Sequence, residues 1–388
     1  MPRSPEALVD ASLLIWARES AGLSQEQAAR KVGVKKERLE AWEKDKPKPS
    51  IAQLRKLGAA YRRPIAVFYL PERPKDFQPL RDFRRLPGEL LGELSSSLRF
   101  EIREAYSRRE IALELLEETA IEPQSFDARA MLGEDPEQLA ERVRQLLEIT
   151  HEQQAKWATP HEALRGWRDA IEAVGVLVFQ SGDVDLAEMR GFSIMETPLP
   201  VIVVNRKDPP RARIFTMVHE LIHILLRKGG LCDLEDDGRR PPEEQRTEVF
   251  CNHIAGATLV PKKHLLTEPI VIAKGKVLVW SDEEIEKLSK AYNVSREAIV
   301  RRLLVLERTT KDFYEQKRAQ YRKEYESRKK QEGFAPPYVE AVSSVGRSFA
   351  RLVLDAFHQE KITASDVSDY FSVRLKHLSS IEHLVGAG

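Results

Sequence analysis

The chain is poor in several things that would otherwise place it. Its 388 residues include only two cysteines, Cys232 and Cys251, too few for a disulfide framework and in keeping with a reducing, cytoplasmic location. No apolar run approaches the length of a membrane span, and the opening Met1-Pro2-Arg3-Ser4-Pro5 lacks a signal-like apolar core. Membrane and secreted classes are therefore not expected. The net charge is only +1. Charge is unevenly placed, however. Met1 to Lys75 holds sixteen Lys and Arg against nine Asp and Glu, and the remainder is acidic on balance. A basic end on a near-neutral chain points to a polyanionic partner at that end.

What is present centres on Arg213 to Leu226. Ile214, Met217, Val218, Leu221, Ile222 and Leu225 recur at three- and four-residue spacing, the pattern of a helix with a buried stripe. On that helix His219 and His223 stand four residues apart on one face, with Glu220 beside the first. This is the H-E-x-x-H arrangement, in which two neutral imidazoles hold Zn²⁺ and the glutamate acts as general base toward a zinc-bound water. A catalytic zinc needs a third protein ligand. Glu248 is the best candidate, on a second apolar-patterned helix from Thr247 to Pro261, four residues before Asn252, which can hydrogen-bond a ligand. Glu243 and Glu244 are rivals on spacing, but they follow Pro241-Pro242 in a charged segment that reads as loop.

These residues resemble the ImmA/IrrE-type metallopeptidases. The match runs through a strand at Pro200 to Asn205, the motif His219 to His223, Glu248 with Asn252, and Leu259-Val260-Pro261. The family usually has a small residue where Ile222 stands and Ala where Cys251 stands. The resemblance implies a zincin-like fold, a bound Zn²⁺, and a repressor-like protein as substrate, in trans or by self-cleavage, under stress, phage or toxin signals.

At the basic end, Ser24 followed by Gln27 makes a capping box, Gly33 punctuates the helix end, and a second helix begins near Lys35 and runs through Leu39 and Trp42. Two short helices joined by a Gly-containing turn make a helix-turn-helix. The stretch resembles the XRE family of repressor-like domains through Leu23 to Ala29, Gly33-Val34, Leu39, Trp42-Glu43, Pro49-Ser50 and Leu54, Leu57, Ala60. By that resemblance Gln25 meets a phosphate or base, Lys35, Lys36 and Arg38 face double-stranded DNA, and Leu39 and Trp42 are core. The family usually has Ser or Thr where Lys35 stands and Gly where Asp45 stands. Paired half-sites make a homodimer the natural state.

The expected fold class is mainly α with a small β-sheet, α+β. The expected division is an N-terminal helix-turn-helix bundle over 1–72, a helical linker or spacer over 73–158, a zincin-like metallopeptidase core over 159–270, and a C-terminal helical region over 271–388 containing a helix-turn-helix-like unit from Ser281 to Leu303. Within it, Pro71 to Phe83 reads as linker, Leu91 to Thr119 as a long amphipathic helix, and Asp135-Pro136 and Thr159-Pro160 as helix starts. Strands are expected at Val176 to Phe179, Met189 to Met195 and Val201 to Val204, one of them an exposed edge able to pair with a peptide. Lys228 to Arg246 reads as a solvated loop, in which the Cys232 thiolate could reach the zinc. His253 and His264 are the nearest further imidazoles in sequence. The functional expectation is a DNA-binding regulator carrying a zinc endopeptidase, with a repressor-like protein or cognate toxin as partner. The rival is a non-proteolytic, antitoxin-like repressor whose metal site is sensory or structural.

Overall fold

Helix boundaries in this chain follow its capping residues. A computed structural model describes residues 5–74, 94–227, 231–232, 242–327 and 335–386. Helices α1 (Ala11–Ser20), α2 (Gln25–Val32), α3 (Lys36–Glu43) and α4 (Ile51–Tyr61) form the basic end. Ser24 and Gln27 make the expected reciprocal cap on α2, and Gly33 ends it in the left-handed conformation at φ 77°. Lys35 precedes α3 with extended backbone and no side-chain cap, and Asp45 takes a positive φ of 60° where the related domains place glycine.

The described residues fall into two compact units, 5–74 with 94–106, and 107–386. In the first, Leu14, Ala17, Leu23, Ala28, Val32, Leu39, Trp42, Leu54, Leu57 and Tyr61 form one core, as expected of Leu39 and Trp42. Phe100, from α5 (Ser96–Glu118), completes it. The amphipathic stretch read over Leu91 to Thr119 is thus one long helix whose first half belongs to the helix-turn-helix core. The segment read as linker lies outside the described residues beyond 74.

The second unit starts with α6 (Pro136–Leu146), α7 (His151–Lys156) and α8 (Pro160–Ala173), where Asp135 and Thr159 cap α6 and α8 as expected. Strands β1 (Leu177–Ser181), β2 (Gly191–Ile194) and β3 (Val201–Asn205) follow, then α9 (Pro210–Leu225), β4 (Leu231–Cys232) and α10 (Pro242–Leu259). The sheet order is β1-β3-β2-β4. β1 runs parallel to β3, and β2 runs antiparallel to both β3 and β4. Every residue of the first three strands is buried. Against the exposed edge expected of one of them, no residue of β1, β2 or β3 is exposed among the described residues; α16 (Pro337–Val345) is tied to β1, and β4 pairs with Gly191 and Phe192 of β2.

Helices α11 (Lys262–Thr267), α12 (Pro269–Lys274), α13 (Asp282–Tyr292) and α14 (Arg296–Val305) come between α10 and α15 (Lys311–Ser327). The expected turn at Asn293 to Ser295 is present, with Asn293 left-handed and Ser295 capping α14. α14 packs on α6 and the end of α10: Arg302, nearly inaccessible, donates Nε to Val260 O at 2.8 Å and both terminal nitrogens to Glu137 of α6. Beyond α16 lie α17 (Arg347–His358), α18 (Ala364–Phe371), capped by Thr363, and α19 (Leu378–Gly386). Among the described residues no helix is long and apolar enough to cross a membrane.

Candidate metal centre

The stripe on α9 packs against α10 and the sheet and takes the polar motif inward with it. His219 and Glu220 are fully buried and His223 nearly so. The helical spacing brings His219 Nε2 and His223 Nε2 to 3.1 Å. From α10, Glu248 Oε2 lies 3.4 Å from His219 Nε2 and Oε1 lies 3.3 Å from His223 Nε2. Three ligands at tetrahedral angles on a zinc with Zn–N near 2.0–2.1 Å stand roughly 3.3 Å apart. The nearest approaches among the three side chains are of that order, with a different Glu248 oxygen facing each imidazole, and these three are the only cluster of His, Cys, Asp or Glu donors of metal-site geometry among the described residues.

The electrostatics agree with ligand chemistry. Burial pushes the His219 pKa down, so the neutral ring is favoured. Burial works the other way on Glu248, but hydrogen bonds from His219 and His223 hold it below the ordinary carboxylate range. Neutral imidazole and ionised carboxylate are the forms that coordinate a cation.

Glu220 points toward β2. Ser193 Oγ donates to Glu220 Oε2 at 2.9 Å. Gly191, two residues earlier and on the same face, leaves the backbone close: a Cβ there would come within 2.5 Å of Thr216 Cγ2, 3.0 Å of Val203 O and 3.4 Å of Glu220 Oε1. Neither residue was singled out from the sequence. The signal was the small-residue alternation Gly191, Ser193 on one face of a strand, legible only once that strand is known to lie against the motif helix.

The other residues read from the sequence sort as follows. Asn252 is buried one turn beyond Glu248, and its Oδ1 makes no hydrogen bond with the described residues. Glu243 and Glu244 are in the first turn of α10, not in a loop, and outside the donor triangle. Helix α10 starts at Pro242 because proline suits a helix's first position. His253 faces Glu137 at 3.5 Å and His264 stacks on His151 with ring centres 4.1 Å apart, so both have structural partners. Cys251 is a fully buried free thiol in the core beside His223, and burial raises its pKa. The Cys232 side chain lies outside the described residues, as does most of the loop read over Lys228 to Arg246.

In the first unit Gln25 is turned inward. Its Nε2 donates to Glu43 Oε2 at 2.8 Å, and Glu43 also binds Arg18 at 2.6 Å, a buried pair joining α1, α2 and α3. Lys35, Lys36 and Arg38 are exposed at the start of α3. Lys36 Nζ lies 3.2 Å from Glu26 and 4.0 Å from Glu40, and the Arg38 guanidinium stands 5.8 Å from the Trp42 ring centre. Hydrogen bonding to Glu26 raises the Lys36 pKa.

The fold and donor set thus define a helix-turn-helix unit joined to a metallopeptidase-type domain. Comparison with known families reaches the same two parts: a helix-turn-helix family model matches residues 14–68, and the model of the IrrE N-terminal-like domain matches residues 171–304. The chain is a fusion of an XRE-type helix-turn-helix with an IrrE N-terminal-like peptidase domain. The second match extends over α13 and α14, which pack on α10 and its end. No curated protein matches the chain.

Proposed function

We propose that this protein is a DNA-binding transcriptional regulator whose second unit is a zinc-dependent endopeptidase acting on a repressor-like protein or on the chain itself. The observation that carries the reading is Glu220, buried and hydrogen-bonded by Ser193, on the helix that supplies two of the three donors of the candidate metal site. His219, His223 and Glu248 would hold Zn²⁺, which when bound supplies an acidified water and polarises a peptide carbonyl. Glu220 accepts the proton of the attacking water and passes it to the leaving amine. Ser193 keeps the carboxylate in one orientation for both transfers. Asn252, one turn from Glu248, is the candidate to position that ligand.

On the DNA side, α3 enters the major groove with Lys35, Lys36 and Arg38 at its leading end, and a homodimer sets the half-site spacing. Gln25, whose amide donates inward to Glu43, is left out of this contact set. Cleavage in response to a stress, phage or toxin signal would then change what the operator-bound protein represses.

The test is incubation of zinc-loaded wild type and Glu220→Gln with repressor proteins encoded beside the gene, followed by mass spectrometry of fragments. Cleavage by wild type alone is expected. Cleavage by neither, with one zinc per chain, would favour the non-proteolytic regulator.

A further inference from the structure

Near the end of the chain, residues 363–377 repeat the backbone of residues 24–38 position for position. Ser24 and Thr363 each cap a helix of eight residues, α2 and α18, and Gln27 and Asp366 each accept from the backbone N–H of the capping residue. Gly33 and Ser372 then turn left-handed, at φ/ψ of 77°/40° and 52°/37°. Val34 N donates to Ala29 O at 3.0 Å, and Val373 N to Ser368 O at 3.1 Å. Lys35 and Arg374 are extended, at −72°/151° and −70°/144°. Arg38 N and His377 N donate to their carbonyls, both at 3.0 Å, and open the next helix. In the later unit that opening turn, Leu375–His377, leads directly into α19. Burial corresponds too: Ala28, Val32 and Trp42 have Val367, Phe371 and Ile381 as their counterparts, all buried. The family matches, over 14–68 and 171–304, do not reach this unit.

A helix-turn-helix fixes the angle between its two helices, so its use depends on the face of the second helix that it leaves outward. The pair α13–α14 shows the alternative. It has the same capped helix and left-handed turn, but its second helix is consumed by packing. Arg296 pairs with Glu324 and lies 4.3 Å from the Tyr321 ring centre, and Arg302 is nearly inaccessible between Val260 O and Glu137. On α19 the inward side is Ile381 and Val385, both buried. The outward side carries Lys376, Ser379 and His383, spaced three and four residues apart and all exposed, with exposed Arg374 at the turn before them. This stripe holds no carboxylate. Glu382 beside it is engaged by His358 Nε2 at 2.8 Å. Two cations at the leading end, followed by side chains able to hydrogen-bond base edges, are the sequence of groups a major-groove helix needs.

We infer that α17, α18 and α19 form a second helix-turn-helix, which lays α19 in the major groove of double-stranded DNA. Arg374 and Lys376 contact phosphates, and Ser379 and His383 meet base edges. The inference goes beyond the reading above, which places DNA on α3.

The experiment measures binding of the full chain by fluorescence anisotropy, over a range of salt, to a duplex selected from random sequence by the wild-type chain and to an unrelated duplex. Wild type, Arg374→Gln/Lys376→Gln, Arg374→Lys, Ser379→Ala/His383→Ala and Lys36→Ala/Arg38→Ala are compared, each checked for folding by circular dichroism melting. For Arg374→Gln/Lys376→Gln the slope of log affinity against log salt should become shallower by about 1 to 2, with a loss of about tenfold on the selected duplex. Arg374→Lys, which keeps the charge, should keep the slope. Ser379→Ala/His383→Ala should keep the slope and lower the preference for the selected duplex. Wild-type binding by Arg374→Gln/Lys376→Gln, while Lys36→Ala/Arg38→Ala is weakened, would overturn the inference and leave DNA on α3. The reverse pattern would support the inference and remove DNA from α3. If wild type binds neither duplex, both readings fall.

Discussion

The two units hold their functional groups in opposite ways. In the metallopeptidase-type unit, His219, Glu220 and His223 are buried and Glu248 is mostly so; the two imidazoles and Glu248 approach one another within 3.1–3.4 Å, and Glu220 accepts from Ser193. In the helix-turn-helix unit, Lys35, Lys36 and Arg38 stand in solvent, and the buried polar group is Glu43, which binds Arg18 and Gln25. The difference teaches where each chemistry tolerates water. A general base and metal ligands need a dry, fixed site, whereas a groove reader must keep its donors available until DNA displaces water. Substitutions should therefore cost activity at the first site, stability at Glu43, and only binding on α3.

The largest effect is expected at the buried site. Glu220→Gln should lower peptide cleavage about 10²- to 10⁴-fold while zinc, counted by mass spectrometry or atomic absorption, stays at one per chain. Loss of zinc along with activity would mean that Glu220 holds the metal or the fold rather than moving a proton. Glu248→Ala should weaken zinc at least about a hundredfold in a chelator competition, beyond what removal of an outer partner does. An unchanged affinity would remove Glu248 from the ligand set and return Glu243 or Glu244 to consideration.

On the other side of the comparison, Glu43→Ala leaves the partly buried Arg18 with only Leu23 O and Glu19 and removes the Gln25 acceptor, and should destabilise the first unit by about 1–3 kcal/mol in a denaturant melt. Under the same melt Lys36→Ala should leave the midpoint unchanged within error, because the ammonium is fully exposed. A large destabilisation there would place Lys36 in the structure and not on the DNA face.

The smallest effect concerns pH. Burial works against it, but bonds to His253 and Arg302 hold the Glu137 carboxyl down at about 2, below its ordinary 4.5. A depressed carboxylate contributes stability that is present above 4.5 and fades as pH falls toward about 2. Urea melts through that window should show the decline in wild type and a shallower one in Arg302→Met. Equal slopes would assign the acid sensitivity to other groups.

Much of this was legible in one dimension. The three- and four-residue spacing over Ile214 to Leu225, the His219/His223 interval, the Ser24–Gln27 cap and the Asp135-Pro136 and Thr159-Pro160 starts are local patterns. Local backbone preference and helical geometry suffice to turn them into helices with defined faces. They mark out the helix-turn-helix and the motif helix and name the candidate ligands. Tertiary structure alone decided the rest. That Glu248 closes the triangle depends on α10 packing against α9, and that Ser193 and Gly191 face Glu220 depends on β2 lying beside that helix. That Gln25 is turned inward depends on Glu43 arriving from α3, and that Phe100 completes the first core depends on α5 returning to it. Each is a contact between residues far apart in sequence, set by which apolar faces bury one another, and no short-range pattern records which partner a face will find.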